Sequence, residues 1–161
     1  MDTTRQAERL ANAYADAILR LSYTYLKNTD DAQDICQTVF VKLLAEPRQF
    51  ESAEHERAYI LRMAANACKD LLKSPWRKRR VSMEELPETP VFDRPGQAAL
   101  YREVMALPEK YRTVLNLFYY EELSVREIGE LLGVGDSTVT TRLARARRRL
   151  KERLGEDWQD E

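Results

Sequence analysis

The segment from Ser124 to Arg153, SVREIGELLGVGDSTVTTRLARARRRLKER, constrains this chain more than any other. Its first part has a capping-box pattern, Ser124 with Glu127 three residues on, in which hydroxyl and carboxylate satisfy free backbone N–H groups reciprocally. Val125, Ile128, Leu131 and Leu132 follow at helical spacing and form one apolar stripe. Gly133 and Gly135 bracket Val134, which predicts a tight turn using positive φ. Asp136 or Ser137 then caps a second helix with Val139, Leu143, Ala146 and Leu150 on its buried side. Two short helices joined by a glycine turn make a helix-turn-helix.

The second of these helices carries a distinctive outer face. Ser137, Thr141, Ala144, Arg145 and Arg148 point away from the stripe, flanked by Thr138, Thr140, Arg142, Arg147 and Arg149. From Arg142 to Arg153 there are seven cations against one acid, so the end of the helix is strongly positive. Small hydroxyl residues in the early turns permit close approach to base edges, and the later arginines suit the phosphates beside them. An arginine-rich solvated helix would explain the charge alone. It would not explain caps, turn and threonine-rich start together, so the expectation is a helix that enters the major groove of duplex DNA.

Elsewhere the pattern is helical throughout. Apolar residues recur every three or four positions, and 43% hydrophobic with 33% charged residues describes a folded, soluble chain. The predicted fold is all-α: two small helical domains joined by a flexible linker, with the helix-turn-helix in the second. Residues 1–80 form the N-terminal domain, 81–96 the linker and 97–156 the C-terminal domain. The linker holds Pro87, Pro90 and Pro95 among acids and shows no amphipathic pattern.

In the first domain, one helix over about 3–27 offers Leu10, Ala13, Tyr14, Ala17, Ile18, Leu21 and Tyr25 to a core. A second, about 30–45, follows the stop and cap signals of Asn28 to Asp31 and ends before Pro47. Its buried side is Ala32, Cys36, Val39, Phe40 and Leu43. Its outer side carries Asp34, Gln37, Thr38 and Val41, which fits either a docking surface or a plain solvated face. A third helix over 53–73 contains Asn66, where a local break is expected because asparagine competes with the helix backbone. Trp76 and the run Arg77, Lys78, Arg79, Arg80 follow. Trp76 suits stacking on an unpaired base and equally suits covering the end of a helical core. In the second domain a helix over about 97–106 is followed, after Leu107-Pro108, by another that runs to about Tyr120 and buries Tyr111, Val114, Leu115 and Phe118.

The net charge of −1 says little about partners, because cations cluster at 73–80 and 142–153 while acids lie elsewhere, and a polyanion responds to local potential. Cys36, Cys68 and the single histidine, His55, do not supply a four-ligand zinc site, and two partly buried thiols are expected. No run approaches the roughly 18–20 apolar residues of a membrane span and no signal-peptide core is visible, so the expected location is cytoplasmic. No nucleophile–base set or phosphate loop appears either. The expectation is a non-enzyme without cofactor or metal.

Three stretches, in this order, resemble a bacterial RNA polymerase sigma factor of the extracytoplasmic-function type. DICQTVFVKL from Asp34 resembles the family's polymerase-binding helix. YILRMAANACKDLL from Tyr59 resembles its promoter-melting segment. LPEKYR from Leu107, with the helix-turn-helix, resembles its upstream-element reader. The resemblance implies that Asp34, Gln37, Thr38 and Val41 dock on core RNA polymerase. It implies that Asn66 and the loop after it capture an extruded base of the minus-ten element, with Lys69, Lys73, Arg77, Lys78, Arg79 and Arg80 along the backbone. It implies that Ser137, Thr138, Thr140, Thr141, Arg142, Arg145 and Arg148 read the minus-thirty-five element of promoter DNA, and that an anti-sigma factor holds the free protein. Tyr59 stands where the family usually has tryptophan, and Thr140 where it often has lysine. The competing readings are a stand-alone helix-turn-helix regulator binding duplex DNA as a dimer, and N-terminal helices that serve as an interaction scaffold and never touch DNA.

Overall fold

A computed structural model describes residues 3–75 and 97–155. All regular structure among them is helical, and the chain divides into two compact units, Met1–Pro87 and Glu88–Glu161. Trp76, the Arg77–Arg80 run, the 81–96 linker and Trp158 lie outside the described residues.

The first unit is built from α1 (Thr3–Leu26), α2 (Thr29–Ala45) and α3 (Ala53–Lys73). α1 packs on both partners and supplies Leu10, Tyr14, Ile18, Leu21 and Tyr25 to a core completed by Ile35, Val39, Ile60, Leu61 and Ala64. Ala13, expected on the buried face, is exposed, and Phe40 is only half-buried. The apolar arc of each helix is narrower than its sequence pattern, because a three-helix unit covers less of every helix.

The corner between α1 and α2 is a sequence signal realised. Lys27 turns the chain with φ 54°, and the Asp31 amide donates to the Asn28 side-chain oxygen at 2.8 Å. Asp30 and Asp31 then occupy the first turn, where negative charge favours the helix dipole. Ser52 caps α3 in the same way, accepting from the His55 amide at 3.1 Å. α3 runs unbroken through Asn66, contrary to the expected break. Asn66 is exposed while Ala64, Ala65 and Cys68 beside it are buried, so packing holds the helix and the amide side chain stays in water.

One polar tie also joins α1 to α3. Arg9 donates through both terminal nitrogens to the Glu56 carboxylate at 3.0 Å, and the Tyr14 hydroxyl donates to it at 2.5 Å. The Arg9 hydrogen bond holds the Glu56 carboxyl below its ordinary range, against the opposing effect of partial burial. Burial first, then the bond to Glu56, pushes the Tyr14 phenol up to about 12.

The second unit comprises α4 (Gln97–Ala106), α5 (Glu109–Leu115), α6 (Val125–Leu132) and α7 (Asp136–Leu154). Its core is formed by Leu107, Val114, Leu117, Leu123, Ile128, Leu131, Val139, Leu143, Ala146 and Leu150. The helix expected to run to Tyr120 changes character after Leu115: Asn116–Tyr120 is a π-helical turn. Leu117 stays fully buried there while Phe118 is only half-buried, correcting its expected place in the core. The wider turn accommodates this by shifting register, a known use of π turns.

Candidate nucleic-acid and protein-docking surfaces

The helix-turn-helix forms as its residues dictate, with one correction. The Glu127 amide donates to the Ser124 hydroxyl at 3.1 Å, and the Ser124 amide donates to the Glu127 carboxylate at 2.9 Å, closing the capping box. Gly133 ends α6 in the left-handed region at φ 74°, whereas Gly135 has φ −76° and needs no special freedom. The cap of α7 is Gly135, without a side-chain hydrogen bond, and not Asp136 or Ser137. Asp136 is already the first helical residue, so its carboxylate meets the dipole without capping.

Gly129, within α6, is the other constrained position. A Cβ there would lie 2.7 Å from the Val134 carbonyl oxygen, so only glycine lets the turn approach α6 this closely. That approach places the start of α7. The sequence pattern carries no sign of this, because the contact is tertiary.

On α7 the buried residues are Val139, Leu143, Ala146 and Leu150, as the wheel predicts. Ser137, Thr140, Thr141, Arg145 and Arg148 are exposed, and Thr138 and Arg142 are half-buried. Ser137, Thr138, Thr141, Arg142 and Arg145 line one cleft together with Lys110 and Tyr111 of α5. Arg148 lines a neighbouring cleft with Arg149, Arg153 and the Leu107–Pro108 corner, and Tyr111 and Arg145 belong to both. Thr140 lines neither; its hydroxyl donates back to the Asp136 carbonyl at 3.0 Å. Arg147 is turned to the opposite flank, where it donates to the Tyr119 hydroxyl at 2.7 Å beside the Phe118 and Tyr119 rings.

Lys110, Tyr111 and Arg149 were not among the expected site residues. Burial pushes the Tyr111 phenol up, but the Lys110 charge, the hydrogen bond from Arg145 and the Arg149 and Arg145 charges hold it below the usual tyrosine value. The local field at this face is therefore strongly positive. It can attract an anion, and nothing in it resembles a catalytic set.

The first unit presents two further surfaces. On α2, Asp34, Gln37, Thr38 and Val41 are all exposed and share one face at three- and four-residue spacing. Val41 is 67% exposed, more than any other large apolar residue described. On α3, Asn66 and Lys73 are exposed and Lys69 half-buried, on one continuous face that also includes exposed Arg62 four residues before Asn66. Because the helix continues, no loop follows Asn66 directly, and the chain leaves helical structure only after Lys73. Arg77, Lys78, Arg79 and Arg80 lie outside the described residues.

Among the described residues no group of histidine, cysteine and acidic side chains could hold a metal ion, and no helix is long and apolar enough to cross a membrane. Cys36 and Cys68 are both buried, and neither is in a disulfide. Burial, with some help from the Asp16 charge, pushes the Cys36 thiol up and away from reactivity.

Comparison with known proteins supplies the remaining findings. Residues 10–78 match the family model for sigma-70 region 2, and residues 97–150 the model for sigma-70 region 4. The chain is 31% identical to the ECF RNA polymerase sigma factor SigW of Bacillus subtilis (strain 168), over 90% of this chain and 87% of that one. It is likewise 31% identical to the RNA polymerase sigma-E factor of Streptomyces coelicolor (strain A3(2)), over 96% and 89% of the two chains. In fold it is similar to the sigma factor RpoE from Bartonella quintana, solved in complex with the anti-sigma factor NepR. There the TM-score is 0.76 at 17% identity, covering 94% of this chain and 98% of that one.

Proposed function

From a chain that belongs to the sigma-70 family of RNA polymerase sigma factors, in its extracytoplasmic-function group, we propose the following division of labour. The protein joins core RNA polymerase and directs it to promoters, and it carries no chemistry of its own. Residues 1–80 serve core binding and the minus-ten element, 81–96 connect, and 97–156 read the minus-thirty-five element. Asp34, Gln37, Thr38 and Val41 dock on the polymerase. Asn66, Lys69, Lys73 and Arg77–Arg80 hold melted minus-ten DNA, with the Asn66 side chain offered from a helix and not from a loop. Ser137, Thr138, Thr140, Thr141, Arg142, Arg145 and Arg148 face the upstream duplex. The protein works in the cytoplasm, and an anti-sigma factor restrains it when free.

The observation that carries this reading is the cleft in which five α7 residues, from Ser137 to Arg145, converge with two from α5 on the unit matched by region 4. Duplex DNA is read by a helix in the groove, with flanking cations on phosphates. The exposed valine between polar neighbours on α2 supports the other half, because protein interfaces anchor on apolar side chains ringed by polar ones. The discriminating experiment is transcription from a promoter library by core polymerase with and without this protein. Two motifs about a fixed spacing, dependent on the protein, are expected; a palindromic footprint formed without core enzyme would contradict the reading.

A further inference from the structure

Tyr111 stands on α5, outside the helix-turn-helix, yet it belongs to both clefts of the α7 face. By area it is a core residue, 4% exposed. Its phenol nonetheless lies within reach of the cationic face: Tyr111 and Arg145 line both clefts together, and the Lys110, Arg145 and Arg149 charges all act on it. The Arg149 guanidinium lies 4.7 Å from the ring centroid and the Lys110 ammonium 5.1 Å from it. Three cations from two helices therefore converge on one aromatic residue. No acidic side chain lines the cleft shared by Lys110, Tyr111 and Arg145, and Glu152 is the one acid lining the neighbouring cleft that holds Arg149.

Such a group resists its own assembly. Like charges this close repel, and long cationic side chains lose rotamer freedom when held. The ring quadrupole and the phenol oxygen offset part of that repulsion. What remains around Tyr111 is a surplus of charged donors, which an anionic oxygen answers more strongly than a neutral base edge does. We propose that Tyr111 is a positioning residue for duplex DNA: its hydroxyl and ring fix Arg145 and Arg149 so that, with Lys110, they grip one backbone phosphodiester. The contact rests on the reading of this unit as the upstream-element binder. Because α5 and α7 contribute together, the grip sets the register of α7 in the groove and carries no sequence information itself.

The test uses the full chain assembled with core polymerase on the best promoter duplex from the library selection, with upstream phosphates replaced one at a time by neutral methylphosphonate. In the wild type, one replacement should weaken binding roughly tenfold. In Tyr111→Phe, which keeps ring and core volume but loses the hydroxyl, that penalty should fall to about twofold or less, with penalties at other phosphates unchanged. Lys110→Ala should lose the same phosphate and no other. A penalty profile in Tyr111→Phe identical to wild type overturns the proposal, and so does a uniform loss across all phosphates, which marks a packing role. If wild-type holoenzyme gives no upstream footprint at all, the underlying functional reading falls along with this one. An intact footprint with an unchanged scan removes only the Tyr111 assignment.

Discussion

α2 and α7 fold by the same rule and differ in what they leave outside. Each buries a stripe at helical spacing: Ala32, Ile35, Val39 and Leu43 on one, Val139, Leu143, Ala146 and Leu150 on the other. The outer face of α2 mixes an acid, an amide, a hydroxyl and a bare valine, whereas that of α7 passes from hydroxyls to arginines. A buried stripe reports the fold, and the opposite face reports the partner. Long-range attraction to a polyanion needs dense like charge, while a protein surface is met by an apolar anchor within a polar rim. On the proposed reading, the two faces suit partners of different physical kind.

The comparison breaks most readily at Asp34. Asp34→Arg reverses the charge on the α2 face, where a like-charge encounter costs several kcal/mol, so core polymerase affinity should drop by about 100-fold or more. Fluorescence titration of labelled protein with core enzyme measures it, and an unchanged Kd would show that α2 docks on something else. On the α7 side, Arg145→Ala and Thr141→Ala should each weaken binding to the upstream duplex by about 1–3 kcal/mol. Competition with altered minus-thirty-five sequences separates lost base reading from lost phosphate contact.

Gly129→Ala probes the scaffold under α7. The added Cβ meets the Val134 backbone oxygen at 2.7 Å, and the forced displacement should cost about 1–3 kcal/mol. Calorimetry should show the loss in the second unit, with duplex binding falling and core binding retained. Glu56→Gln probes the first unit. The native carboxyl is depressed, so its contribution is present above the unfolded-state value and is lost as pH falls through the folded-state value. Arg9 is 48% exposed, which limits the effect to about 1 kcal/mol near neutral pH. Melting of wild type and variant should converge in acid; a gap that persists there would assign the loss to packing. Ser124→Ala should cost about 1 kcal/mol through the capping box, seen as a small fall in melting temperature.

Much of this was readable from residue order. Caps such as Ser52 and Ser124 are local, since hydroxyl and amide lie three residues apart, and the stripe of α7 follows from periodicity alone, as do those of α1 and α2 apart from Ala13, Ile35 and Phe40. What escaped depends on neighbours distant in sequence. The Gly129–Val134 approach, the π turn that leaves Phe118 at the margin of the core, and the unbroken helix through Asn66 are each decided by packing. Gly135 displaced Asp136 and Ser137 as cap because the backbone leaves the turn one residue earlier than side-chain preference implies. Lys110 and Tyr111 escaped for the same reason: a helix wheel of α7 cannot reveal what α5 brings beside it.

The central claim is that the α2 and α7 faces answer to different macromolecules, and crossed measurements on one pair of full-length variants test it most directly. Arg145→Ala should bind core polymerase within about twofold of wild type, and Asp34→Arg should retain wild-type affinity for the upstream duplex to the same margin. If each substitution instead weakens both associations alike, the two faces form one surface and the division of labour is wrong.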